Sequence, residues 1–201
     1  MTTVLVTGFG PFGPHESNPS EAAVQALPDR LGAARIVTGV LPVEFGRCAE
    51  AALALVADHS PDAVILTGLA AGRAAVTPER VAINVRDTGG AESFADNAGY
   101  APSEVPILPD GPDGIFATLP NQRIVSRLVA AGIPAEISNT AGTFICNETM
   151  YAVLTSIATT PPPRAMAGFV HLPDVDALPL TELVRALGIV VEVVVDALAA
   201  P

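Results

Sequence analysis

The side chains best suited to nucleophilic chemistry are two cysteines, backed by three histidines. Cys146 stands in Asn139-Thr-Ala-Gly-Thr-Phe-Ile-Cys-Asn147. Residues 135–138 before it read as a short strand, Gly142 permits a tight turn, and 144–157 read as a helix. Phe144, Ile145, Val153, Leu154 and Ile157 share one face of that helix. A thiol in a first helical turn faces unpaired backbone N–H groups and the positive end of the macrodipole. Both favour thiolate, the reactive form. A free cysteine is nevertheless more often a buried structural residue, so Cys146 alone decides nothing.

Thiol hydrolysis also needs a base and a group that orients the base. His15 lies in a Pro/Asn-rich loop, and His59 reads as the solvated end of a helix beside Asp58. His171 ends the apolar run Met166-Ala-Gly-Phe-Val-His171. The carboxyl end of a buried strand opens onto the crevice where α/β proteins place ligands. A hydrogen-bonded core histidine fits the same position. Cys146 also follows a strand, so the two side chains can reach one sheet edge. Glu79, just before the apolar run Val81-Ala-Ile-Asn-Val85, can orient the base or be an ordinary surface carboxylate. Glu148 is its rival, although positions i and i+2 point to different helix faces.

The elements that must position these residues alternate. Segments 3–7, 35–40, 63–67 and 165–170 read as buried strands; 20–27, 44–57, 121–131 and 181–198 read as helices. This alternation predicts a single-domain three-layer α/β/α sandwich with a mostly parallel central sheet. A chain of 201 residues suffices to bury about 70% of its unfolded surface. Residues 86–119 break the pattern with turn-rich and proline-rich sequence, the mark of a functional loop or an interface arm.

Composition narrows the function. The net charge is −11, all ten basic residues are Arg, and no basic stripe forms, which argues against nucleic acid. Mean hydropathy is +0.46, yet no run approaches the ~20 apolar residues of a membrane span. The amino-terminal segment reads as a first strand, not a signal peptide. Two cysteines make no disulfide framework, so a reducing cytoplasm is expected. Cysteine and histidine spacing gives no metal site and no cofactor is called for.

Gly8-Phe9-Gly10-Pro11-Phe12-Gly13 follows a strand and matches a dinucleotide-binding spacing. Pro11 removes a backbone donor, and the next helix starts only near Asn18 or Pro19. A loop presenting two phenyl rings is the better reading than a phosphate cradle.

Together these stretches resemble the pyroglutamyl peptidase I (pyrrolidone carboxyl peptidase) family of cysteine exopeptidases. The matching segments are TGFGPFG with SNPS, LPVEFG, GLAAGR, TPERVAIN, SNTAGTFICN and GFVHLP, in the family's order across most of the chain. The resemblance implies Cys146 as nucleophile, His171 as general base and Glu79 as its orienting residue. It implies Phe9, Phe12, Leu69, Phe144 and Ile145 around the pyroglutamyl ring. It implies a peptide substrate with N-terminal pyroglutamate, a thioester acyl-enzyme and a homotetramer. Three departures stand out: Gly10 replaces a frequent Glu, Leu69 replaces a frequent Gln, and a family Arg is missing near Thr88–Gly90, where Arg86 is the nearest substitute. These departures keep open a non-catalytic or altered-specificity small-ligand binding protein on the same fold.

Overall fold

The computed structural model describes residues 1–13, 17–89, 94–162 and 164–200; His15 and Gly90 lie outside them. A six-stranded sheet runs in the order β2-β3-β1-β4-β8-β5. Its strands are β1 (Thr3–Phe9), β2 (Arg30–Leu31), β3 (Ala34–Leu41), β4 (Ala63–Leu69), β5 (Thr77–Pro78) and β8 (Met166–Leu172). The β3, β1, β4 and β8 strands are mutually parallel, and the two short edge strands pair antiparallel. A separate antiparallel pair joins β6 (Val81–Ile83) to β7 (Gly114–Phe116).

The strands are apolar on both faces because helices cover both. On one side Val4, Val6, Ile65 and Val170 pack against α1 (Pro19–Gln25), α3 (Asn121–Ala130) and α5 (Leu180–Leu198). On the other, Leu5, Leu66 and Phe169 pack against α2 (Arg47–His59) and α4 (Ile145–Thr159). The three-layer sandwich expected from the alternation is therefore observed. The valine-rich 181–198 segment is helix, with Leu183, Leu187, Val190, Val191 and Val194 buried. Burial of one face outweighs the slight cost of β-branched residues in a helix.

The strand expected over 135–138 is instead two isolated parallel bridges, Val76 to Ala135 and Glu79 to Ser138. Val76 N–H donates to Pro134, Glu136 N–H to Val76, Ser138 N–H to Pro78 and Arg80 N–H to Ser138. The rung between them is missing because Pro78 has no N–H to give.

The aromatic loop after β1 is tied to α1 by one amide. Asn18 caps the helix by accepting from Ser20 N–H at 3.0 Å and donates to Gly10 O at 3.0 Å. Ser20 Oγ accepts Phe9 N–H at 3.0 Å. Asn18 is buried, so Asn18→Ala is expected to cost about 2 kcal/mol by stranding these partners. Urea unfolding checks this, and wild-type stability would refute the role.

Candidate active site

Parallel register sets the first two components side by side. Gly68 on β4 is the strand partner of His171 on β8. A Cβ at Gly68 would lie 2.9 Å from Cys146 Sγ and 2.9 Å from Phe169 Cζ. Only hydrogen at that position lets the thiol settle on the sheet beside His171. The loop that delivers it turns at Gly142, whose φ of 78° suits glycine, and its N–H donates to Thr140 Oγ1.

Cys146 is the second residue of α4, and no side chain caps that helix. Its first-turn N–H groups therefore remain available to an incoming oxygen. Helix and thiol are anchored from the opposite wall: Asp87 N–H donates to Thr143 O at 2.9 Å and Thr143 Oγ1 to Asp87 O at 2.7 Å.

Glu79 arrives by antiparallel pairing. Thr77 sits opposite His171, and Glu79 N–H donates to Phe169 O at 2.8 Å. Glu79 Oε1 lies 2.7 Å from His171 Nδ1. Both residues are buried, at 0% and 4% exposure. Burial alone would raise the Glu79 carboxyl, but its hydrogen bonds with His171 and Arg73 help to outweigh that and hold the group below its ordinary value. An ionised Glu79 is an acceptor only, so Nδ1 donates and Nε2 is left with a lone pair. Burial pulls the His171 imidazole below its ordinary value, against the opposing pull of Glu79. It rests as a neutral base.

The standing thiolate expected from the helix start is not what the site favours. Cys146 is partly exposed as a residue, but desolvation, then the Glu79 charge, push its thiol up to about 12. Arg73 and the residue's own N–H pull only weakly the other way. Among the described residues, no hydrogen bond joins Sγ to His171. The resting pair is a thiol beside a neutral imidazole.

A cavity of about 50 Å³ adjoins the thiol, lined by Phe9, Phe12, Leu69, Phe144, Ile145 and Cys146 together with Asn18 and Val43. One water takes roughly 10–15 Å³ on this scale, so the space suits a single small ring. All five pocket residues expected from sequence thus meet at one place. Leu69 presents an apolar wall. Phe9 stacks on Phe169 with centroids 6.4 Å apart, which fills the Gly8–Gly13 turn with a ring rather than a phosphate cradle.

Other expectations separate from the site. Glu148 does not approach His171; buried, it accepts Arg86 Nε at 2.7 Å, Gly46 N–H at 3.1 Å and Cys48 Sγ at 3.5 Å. Arg86 is thereby committed to Glu148 and does not replace the missing family arginine. His59 ends α2, away from the sheet edge that holds Cys146. Three residues had no reading in the sequence. Arg73 bonds Glu79. Asp96 accepts Phe45 N–H at 2.8 Å, and Asn97 Nδ2 donates to Pro11 O at 3.0 Å. An Asp–Asn pair inside a Gly-containing turn was the available signal for the last two. Phe45 then meets Phe144 edge-on, with centroids 5.2 Å apart.

A thiol at a helix start and a buried His–Glu pair, brought to one edge of an α/β sandwich, define the site class of a cysteine hydrolase. Residues 2–200 match the profile of a family described as pyroglutamyl peptidase. A pyrrolidone-carboxylate peptidase of Thermococcus onnurineus is 49% identical over 170 residues, covering 85% of this chain and 82% of that protein. One from Levilactobacillus brevis is 39% identical over 204 residues, covering 96% and 98%. The crystal structure of Bacillus amyloliquefaciens pyroglutamyl peptidase I is similar at TM-score 0.90 and 36% identity, covering 100% of this chain and 98% of that one. The pyrrolidone carboxyl peptidase of the hyperthermophile Pyrococcus furiosus gives TM-score 0.91 and 35% identity, covering 98% and 100%. The chain belongs to the pyroglutamyl peptidase family.

The Arg86–Glu148 pair is a structural prediction of its own. Arg86→Met leaves a fully buried carboxylate without its cation and is expected to cost about 3 kcal/mol. A urea midpoint equal to wild type would show that the pair contributes nothing.

Proposed function

We propose that this chain is a cysteine exopeptidase that releases N-terminal pyroglutamate from peptides, with Cys146 as nucleophile, His171 as general base and Glu79 as its orienting carboxylate. The observation that carries this reading is the placement of the Cys146 thiol between a small apolar ring pocket and the neutral His171 held by Glu79.

A lactam ring carries no charged amine, so an apolar pocket that excludes water can accept it. Phe9 and Phe12 flank the ring. As sulfur attacks the pyroglutamyl carbonyl carbon, His171 Nε2 takes the thiol proton. Proton transfer accompanies attack, because desolvation favours the protonated thiol. The free N–H groups at the start of α4, that of Cys146 among them, receive the developing oxyanion. His171 then passes the proton to the leaving amine, and the C–N bond breaks to give a thioester. Water, deprotonated by His171, hydrolyses it to free pyroglutamate and thiol.

None of these steps uses a metal or cofactor. Among the described residues, no cluster of ligating side chains could hold an ion and no helix is long and apolar enough to cross a membrane. The same reading places the enzyme in a reducing cytoplasm as a homotetramer, in keeping with two free cysteines.

The decisive experiment is hydrolysis of a pyroglutamyl-amide reporter. Cys146→Ala is expected to abolish turnover while the fold persists; activity in that variant would end the proposal, and inactive wild type would favour the binding-protein alternative. Cys48, buried in α2, serves as the control, and Cys48→Ala should keep activity. The acid limb of kcat/KM is a second test. Because His171 is held below its ordinary value of 6.5, it stays an unprotonated base as pH falls past that point. The midpoint should lie below 6.5; a midpoint above it would contradict the neutral resting pair.

A further inference from the structure

We propose that Arg73 is a positioning residue of this constellation, holding Glu79 against His171 and binding that pair to the loop that carries Cys146; this rests on the catalytic reading above. Arg73 lies in the Gly68-Leu-Ala-Ala-Gly72-Arg73 turn that follows β4. Its Nη1 donates to Glu79 Oε1 at 2.7 Å and to Thr77 Oγ1 at 2.6 Å, and its Nη2 donates to Thr140 O at 3.2 Å. One planar guanidinium thus spans three segments: its own turn, the β5 edge that delivers Glu79, and the loop running into α4. A rigid fork holds such a geometry where a flexible ammonium cannot.

Two features make the contact consequential. First, Glu79 Oε1 accepts from both His171 and Arg73, while Oε2 is buried with no hydrogen-bond partner. Without Arg73 either oxygen can turn to His171, and the imidazole loses its fixed direction. Second, a fully buried carboxylate needs a cation. Arg73 supplies it, so His171 need not. The Glu79–Arg73 pair is neutral as a unit and leaves the imidazole free to be a base rather than a standing imidazolium. The charged and titratable groups that act on this cluster are Glu79 beside β5, His171 on β8 and Cys146 on α4. Arg80 turns instead to Asn139, and Glu136 on the adjoining segment is exposed.

The sign follows from these charges. Loss of the Arg73 cation leaves Glu79 to attract a proton onto His171, so the base is protonated at higher pH. Arg73→Met in the full chain is therefore expected to lower kcat for the pyroglutamyl-amide reporter roughly 10–100-fold, part of the general acid–base contribution. KM should stay within about twofold, since no pocket residue changes, and the acid limb should move up by about one pH unit. Arg73→Lys restores the charge but not the three-way span, so its acid limb should return toward wild type while kcat stays reduced. An unshifted limb with wild-type kcat in Arg73→Met, or a loss confined to KM, overturns the proposal. If Arg73→Met does not fold, Arg73→Lys decides: full kcat there overturns it. Wild-type turnover together with an inactive Cys146→Ala keeps the catalytic reading standing even when the Arg73 inference fails.

Discussion

A carboxylate with no solvent exposure governs the architecture around it. Glu79 is completely buried at a sheet edge, where an uncompensated charge would cost several kcal/mol. The edge strand therefore has to arrive with partners in place. The antiparallel register of β5 on β8 brings His171, and the turn after β4 brings Arg73. Asn121 Nδ2 secures the Glu79 backbone carbonyl from the start of α3 at 2.9 Å. Four elements thus converge on one residue, and the thiol is placed by the same convergence, since the segment paired with 76–80 runs on into the loop before α4.

Charge and solvation divide the labour inside the site. Glu79 is kept ionised by donors, and His171 is kept neutral by burial. The thiol is kept protonated by the same burial. Each state is what the next step of an acyl transfer requires: an acceptor to orient, a lone pair to receive, and a proton to hand over. The helix start adds a further asymmetry, because its dipole and free N–H groups act on charge that develops on oxygen rather than on sulfur that is already charged.

Much of this was legible in the sequence. The strand–helix alternation gave the layers, and the strand-end position of His171 with the post-strand position of Cys146 gave the shared edge. Phe9, Phe12, Leu69, Phe144 and Ile145 were found through resemblance, and they do meet in one cavity. What stayed hidden depends on pairing between distant segments. Two-residue strands such as β2 and β5 carry no periodicity to detect. The 134–138 ladder looks continuous in sequence, but the gap comes from a proline on its partner. Arg73 and Asp96 carry no reading in sequence until pairing shows what they face, and Glu148 reads as a rival to Glu79 until the structure turns it to Arg86. The state of the thiol is a related case: a helix start is visible in sequence, whereas the desolvation that pushes the sulfur toward its protonated form is not.

Phe45, packed edge-on behind the pocket residue Phe144, carries a consequence for the pocket. The two adjacent peptide N–H groups of Phe45 and Gly46 are each received by a carboxylate, Asp96 for the first and buried Glu148 for the second. Displacing that backing would strip partners from both acids at once. A pocket residue backed this way keeps its place as a gauge does, by refusing to yield. The size of the cavity is then set by the stiffness of the frame behind Phe144.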